Sequence, residues 1–288
     1  MAVIYKRELR SYFHSMIGYV FIAMAVALEG IYFYSVNVRA GNSSYSLALA
    51  NISVVFSLII PILTMRSFAD ERRNKTDQLF LTYPVSVFSV VMGKFLSMMT
   101  MIAIPLVISC FFPLVIGLYG SALYLSDYSS ILIFWLLTGV FISIGMFISS
   151  LTENQIVAAV LTFAALLGIH LWMPLVSAIP ATPSASLIGL FGILVLALLI
   201  IYVMTKHGLL TGLVGIVGAA IILIAYIANP DSFNGLLTNA LSALACIPIL
   251  YNFCNYHVFD LGGLFLYLSI SAVFIYLTVQ SIQKRRWS

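Results

Sequence analysis

Eight long apolar stretches leave this chain little choice of fold. They run Met16–Ser35, Asn51–Met65, Val85–Tyr119, Ser129–Ser150, Ile156–Ala178, Ala185–Thr205, Leu209–Ala228 and Leu261–Ile282. A helix crosses a bilayer with about 20 mostly apolar residues, and a transmembrane strand needs only about 10. In hydrocarbon every backbone N–H and C=O must be paired within the protein, which a helix does by itself. With 62% hydrophobic and 8% charged residues, the chain cannot cover a water-facing surface, since a soluble domain is about a quarter charged. The reading is an all-α polytopic membrane protein, one transmembrane domain over residues 1–288, with no soluble linker and no repeat. The second stretch is short and extends back to Leu47. The third is long enough to kink at Pro105 or Pro113.

The cations set the expected orientation. Lys6, Arg7 and Arg10 precede the first stretch; Arg66, Arg72, Arg73 and Lys75 follow the second; Lys94 lies near the start of the third. Lys206 separates the sixth and seventh, and Lys284, Arg285 and Arg286 follow the last. With eight crossings and the N-terminus inside, all of these fall on the cytoplasmic side and only Arg39 is outside, as the positive-inside rule requires. Both termini are expected to be cytoplasmic. The outer segment 229–258 is apolar but interrupted by Pro248, and reads as an amphipathic or re-entrant element.

Residues 1–14 read as a helix lying on the membrane. Ile4, Tyr5, Leu9, Tyr12 and Phe13 recur at helical spacing, while Lys6, Arg7, Arg10 and His14 lie mostly opposite, toward anionic lipid. The charges continue through Arg10 with no small-residue cleavage site after them, so this is not a secretory signal. Two ionisable groups fall inside the apolar stretches. Glu29 is costly at that depth, and is a candidate for a substrate path or a subunit contact. His170 is a weaker candidate for the same roles and reads more simply as a hydrogen-bonded interface residue. Cys110, Cys246 and Cys254 lack metal-like spacing and read as small packing residues, with a Cys246–Cys254 pair the alternative.

No phosphate loop, H-E-x-x-H or G-x-S-x-G occurs; Gly93-Lys94 is followed by Phe95 and lacks the upstream glycine. No catalytic residue or metal ligand is assigned. The most unusual segment is "TMRSFADERRNKTDQLFLTYPVS". It holds seven of the chain's 13 basic and 9 acidic residues, between two crossings. Mixed charge with Phe68, Leu79 and Phe80 reads as a short amphipathic cytoplasmic helix over 68–82, ended by Pro84. Aromatic and apolar anchors beside charges of both signs suit docking to a soluble partner.

That segment resembles the permease subunits of ABC-2 type exporters. Arg66, Ala69, Glu71, Arg72, Thr76, Leu79, Pro84, Val85 and Ser86 match the family pattern, and Phe80 stands where a leucine is usual. "YKRELRSYFHSMIGYVF" is similar to the family's interfacial helix, and "FISSLTENQIVAAVLTF" to its turn between the fourth and fifth crossings, where Thr152 and Gln155 are expected as a capping box. "FDLGGLFLYLSISAVFIYLTVQSIQKRRWS" resembles the C-terminal end of gliding-motility-type permeases. The resemblance implies a six-span core, here with an extra pair over Ala185–Ala228. It implies that 68–82 is the coupling helix, with Phe68, Glu71, Arg72, Asp77, Leu79 and Phe80 facing a separate ABC ATPase that holds ATP and Mg. It further implies a second permease chain, identical or related, an auxiliary membrane subunit with an extracytoplasmic domain, and the inner membrane of a bacterium. Two rival readings remain at this point. An ATPase-independent channel or secondary transporter would require more polar groups in the spans. An intramembrane hydrolase would require a paired catalytic constellation.

Overall fold

The computed structural model describes residues 1–75, 86–120, 122–206, 208–256 and 261–286, and these form helices joined by short turns. The interfacial segment is α1 (Ala2–His14). It is followed by α2 (Met16–Phe33), which continues as a π-helical turn to Arg39, then α3 (Ser46–Thr64) and the short α4 (Ala69–Arg73). Next come α5 (Val87–Ser109), α6 (Phe111–Tyr119), α7 (Tyr124–Leu151) and α8 (Gln155–Ser177). The chain ends with α9 (Pro183–Thr205), α10 (Gly208–Ala228), α11 (Leu236–Ala243), α12 (Ile247–Tyr256) and α13 (Leu261–Arg286). Among the described residues, six helical segments are long and apolar enough to cross a membrane: those of α2, α3, α5 with α6, α7, α8 and α13. The described residues fall into two compact units, Met1–His170 with Cys246–Ser288, and Leu171–Ala245.

In the larger unit α7 is the axis. Phe134, Leu137, Val140, Phe141, Ile142 and Met146 are buried along it, and Phe56 of α3 meets Phe134 edge-on with ring centroids 5.0 Å apart. Lipid offers no hydrophobic driving force between helices, so close packing and internal hydrogen bonds must hold the bundle. Both are present. A side chain at Gly145 of α7 would lie 2.8–2.9 Å from Thr64 Cβ and Cγ2, and at Gly139 it would lie 3.2 Å from Met99 Cε. Hydroxyls inside the spans bond back to their own helix: Ser53 Oγ donates to Ala50 O at 2.7 Å and Ser143 Oγ to Val140 O at 2.8 Å. These bonds satisfy the groups without a distant partner. Helices α5 and α6 divide at Cys110. Pro113 has no N–H for the Ser109 carbonyl four residues earlier, and its ring crowds that carbonyl, so the break follows from Pro113 rather than Pro105.

In the smaller unit α9 and α10 form a hairpin, with Gly218 against Leu194 and Gly215 against Leu198. Its far end is closed by Gly235 N–H donating to Ala181 O at 3.1 Å and Trp172 Nε1 to Leu241 O at 2.8 Å. The outward side chains Ile188, Leu196, Ile216, Ile224 and Ile227 are exposed and apolar, as a lipid-facing surface is. Of the segment expected as an outer element, 229–258, the described residues to Tyr256 form a 3-10 turn (Pro230–Phe233) and α11 here and α12 in the larger unit, where Cys246 and Cys254 are buried free thiols.

Candidate functional site

The charged segment and the N-terminal helix meet at one end of the larger unit. Helix α1 has the predicted bounds, and Lys6, Arg7, Arg10 and His14 are exposed while Ile4, Tyr5, Leu9, Tyr12 and Phe13 are partly buried. It is anchored on α5: Ile4 lies over Gly93, and Tyr5 shares a hydrogen bond with Thr100 at 3.1 Å. Burial, aided by the carboxylates of Glu8 and Glu71, pushes the Tyr12 phenol far above its usual pKa, so it stays a hydrogen-bond donor.

Lys94 is the centre of the cluster. It is 2% exposed, and its ammonium donates to Ser67 O at 2.7 Å and Glu71 Oε1 at 2.8 Å, with Glu8 Oε1 at 3.5 Å. Arg7 pairs with Glu8 at 2.6 Å and approaches Glu71 at 3.8 Å. The ammonium also sits 5.1 Å from the centre of the Phe68 ring, a favourable cation–π placement. A buried lysine is costly unless it is both paired and hydrogen-bonded, and this one is. Lys94 thereby ties α1, α4 and α5 together.

On its other side α4 is fastened to the turn between α7 and α8. Ser149 Oγ accepts from Phe68 N at 3.2 Å and Ala69 N at 3.1 Å, and donates to Met65 O at 3.1 Å. Arg72 donates to Ser150 O at 3.1 Å and pairs with Glu153 at 2.9 Å. Gln155 donates to Asp70 Oδ1 at 2.6 Å. Gln155 is therefore used between elements; α8 is capped by Asn154, whose Oδ1 accepts from Ile156 N at 2.9 Å, rather than by a Thr152–Gln155 box.

The expected docking residues are placed as follows. Phe68 is 6% exposed and packs against the core of the larger unit. Glu71 and Arg72 make the internal pairs just described. Asp77, Leu79 and Phe80 lie outside the described residues. Helix α4 ends at Arg73, where Asn74 caps it and Lys75 turns into the left-handed region at φ 55°; of the helix expected over 68–82, residues 76–82 lie outside the described residues. The residues α4 presents outward are Arg73, Asn74 and Lys75.

Glu29 lies near the opposite end of α2, 1% exposed. Ser109 Oγ donates to its Oε2, while Oε1 has no hydrogen-bond partner among the described residues. Phe33 and Phe112 stack 4.5 Å apart close by, with Tyr45 5.4 Å from Phe112. The carboxyl is thus enclosed within one chain. His170 is also held internally: Nδ1 bonds Leu166 O at 3.1 Å and Nε2 lies 3.5 Å from Ser53 Oγ.

One residue outside the sites assigned from the sequence is structurally central. Asp127, in the first turn of α7, is 0% exposed. Its Oδ1 accepts from Ser44 Oγ at 3.1 Å, Tyr45 N at 2.9 Å and Ser46 N at 3.2 Å. It caps α3 from another helix, satisfying N–H groups at its first turn and opposing the positive end of its dipole. Nothing in the sequence around Asp127 points to α3.

No curated protein matches the chain. Residues 3–188, well over half its length and including α1, α4 and the whole charged cluster, match the family described as ABC-2 family transporter protein. The chain is thus a membrane-embedded permease and belongs to the ABC-2 transporter family.

Proposed function

We propose that this permease is the membrane subunit of an ATP-driven exporter in the cytoplasmic membrane of a bacterium, with both termini cytoplasmic. A separate ABC ATPase, holding ATP and Mg, docks on the segment between α3 and α5. Two permease chains, identical or related, act together. The C-terminal resemblance favours the gliding-motility type, and with it an auxiliary membrane subunit carrying an extracytoplasmic domain. The Lys and Arg distribution supports the orientation.

One observation carries the coupling role. The start of the α3–α5 segment is bonded to α1 and α5 through Lys94, and to the α7–α8 turn through Ser149, Arg72 and Asp70. A push on this segment reaches those helices through short, charge-assisted bonds instead of dissipating in a loose loop. Phe68, Glu71 and Arg72 are the rigid backing. Arg73 and Lys75, with Asp77, Leu79 and Phe80, form the proposed contact surface.

The test is ATPase recovery with the tagged permease. Arg73→Glu and Phe80→Ala should lower recovery while the permease still inserts and elutes as one species. Normal recovery and normal transport-coupled hydrolysis in both variants would place docking elsewhere.

A further inference from the structure

Beside the Lys94 cluster lies a cavity of about 510 Å³, bounded by α1, the start of α2, the turn after α3, and α5. Its lining holds three cations, Arg7, Arg66 and Lys94, and three carboxylates, Glu8, Asp70 and Glu71. Lys94 and Arg7 are engaged by Glu71 and Glu8. Arg66 is exposed and pairs with no carboxylate among the described residues. Ser67 lines the same cavity; it is 3% exposed, and its hydroxyl has no hydrogen-bond partner among the described residues. Ser11 and Tyr12 add hydroxyls from α1.

A guanidinium beside several hydroxyl donors matches a phosphate, which accepts bidentate bonds from arginine. The cavity is much roomier than a lone phosphate, and it opens where an amphipathic helix meets the ends of two spans, the depth of lipid headgroups. The carboxylates decide which headgroup. A purely anionic one would meet as many like charges as opposite ones. A choline has no N–H to give, whereas a primary ammonium has three donors for the second carboxylate oxygens of Asp70 and Glu8, whose Oδ1 and Oε1 are taken by Gln155 and by Arg7 and Lys94. We propose that this cavity binds the headgroup of an aminophospholipid of the phosphatidylethanolamine type, with its phosphate on Arg66, Ser67 and Ser11 and its ammonium toward Asp70 and Glu8. The site is independent of which ATPase drives the permease, and it fixes α1 to the bilayer through a specific lipid rather than by general surface attraction.

Native mass spectrometry of the full chain, delipidated in detergent and supplied with one lipid at a time, tests this. Phosphatidylethanolamine should be retained about tenfold better than phosphatidylcholine or phosphatidylglycerol, the scale of losing one or two charge-assisted bonds. Arg66→Gln and Ser67→Ala should each bring retention down to the phosphatidylcholine level, and Arg39→Gln should not. Arg66 is exposed, and Ser67→Ala removes one oxygen, so both variants are expected to fold; an unchanged elution profile checks this, and either one alone decides. Equal retention of the three lipids, a preference for phosphatidylglycerol, or unchanged binding in the variants would overturn the proposal. Displacement of the lipid by millimolar inorganic phosphate would also overturn it, marking a soluble-anion site instead.

Discussion

Replacing Lys94 with methionine should destabilise the permease through Glu71 rather than through lost packing. Methionine fills most of the lysine stem, so the apolar contacts largely persist. What disappears is the ammonium that donates to Ser67 O at 2.7 Å and Glu71 Oε1 at 2.8 Å. Breaking a buried ion pair from one side costs about 3–5 kcal/mol, because the surviving charge is left without its partner. Glu71 is not fully enclosed, its side chain being 19% exposed, and Arg7 stays 3.8 Å away. The loss therefore belongs at the lower end, about 3 kcal/mol. At about 2 °C per kcal/mol for a chain of this size, the melting temperature should fall by about 6 °C. Adding Glu71→Gln removes the stranded charge, and the double variant should recover most of the loss, to within about 1 kcal/mol of the wild type. Thermal melts in detergent, followed by tryptophan fluorescence and by the monodisperse fraction on gel filtration, read all four proteins. A Lys94→Met variant that melts with the wild type would refute the reasoning. So would a double variant as unstable as the two single losses summed.

Three further outcomes can be checked in the same way. Gly145→Ala should cost about 1–3 kcal/mol, because the new methyl meets Thr64 side-chain carbons 2.8–2.9 Å away; adding Thr64→Ser, which removes Cγ2, should recover part of it. Asp127→Ala should cost about 2–4 kcal/mol by stripping the start of α3 of its acceptor, and Asp127→Asn should lie nearer the wild type because its amide oxygen still accepts; equal melts for the two would contradict the capping role. Glu29→Gln should insert and elute normally yet transport less, an ionisable group at this depth being held for a purpose; full transport by the variant would reduce Glu29 to a hydrogen-bond partner of Ser109.

Patterns decided within one turn or one apolar run were legible before any fold was known. Helix α1 from Ala2 to His14 follows from the spacing of Ile4, Tyr5, Leu9 and Tyr12, and six of the eight expected crossings are met, among the described residues, by helices of unbroken apolar length. The charged segment stands out in the sequence, but the internal use of its charges does not. Mixed charge is as compatible with an outward docking face as with an inward ion-pair network, and only the approach of α5 turns Glu71 toward Lys94. Lys94 itself read as one more cation counted for orientation. The end of α4 at Arg73 is set by Asn74 and Lys75, in a turn with no glycine or proline to announce it. Asp127 was missed for the same general reason: its partners are 81–83 residues away in sequence.

That separation bears on how the protein is made. The donors at the start of α3 emerge from the ribosome well before the carboxylate that will hold them. At roughly 5–20 residues per second the interval is about 4–16 s. The hydroxyl of Ser149, which fastens the other end of the same helix, follows α3 by a similar delay. During that time α3 can reside in the bilayer only with its leading N–H groups at the water interface, where solvent serves them. Its first turn and its last carbonyls thus find their final partners only once α7 has been made. Without the Asp127 carboxylate, the N–H groups of Tyr45 and Ser46 would keep their need for water in the finished molecule too, because nothing else from α7 pairs with them among the described residues.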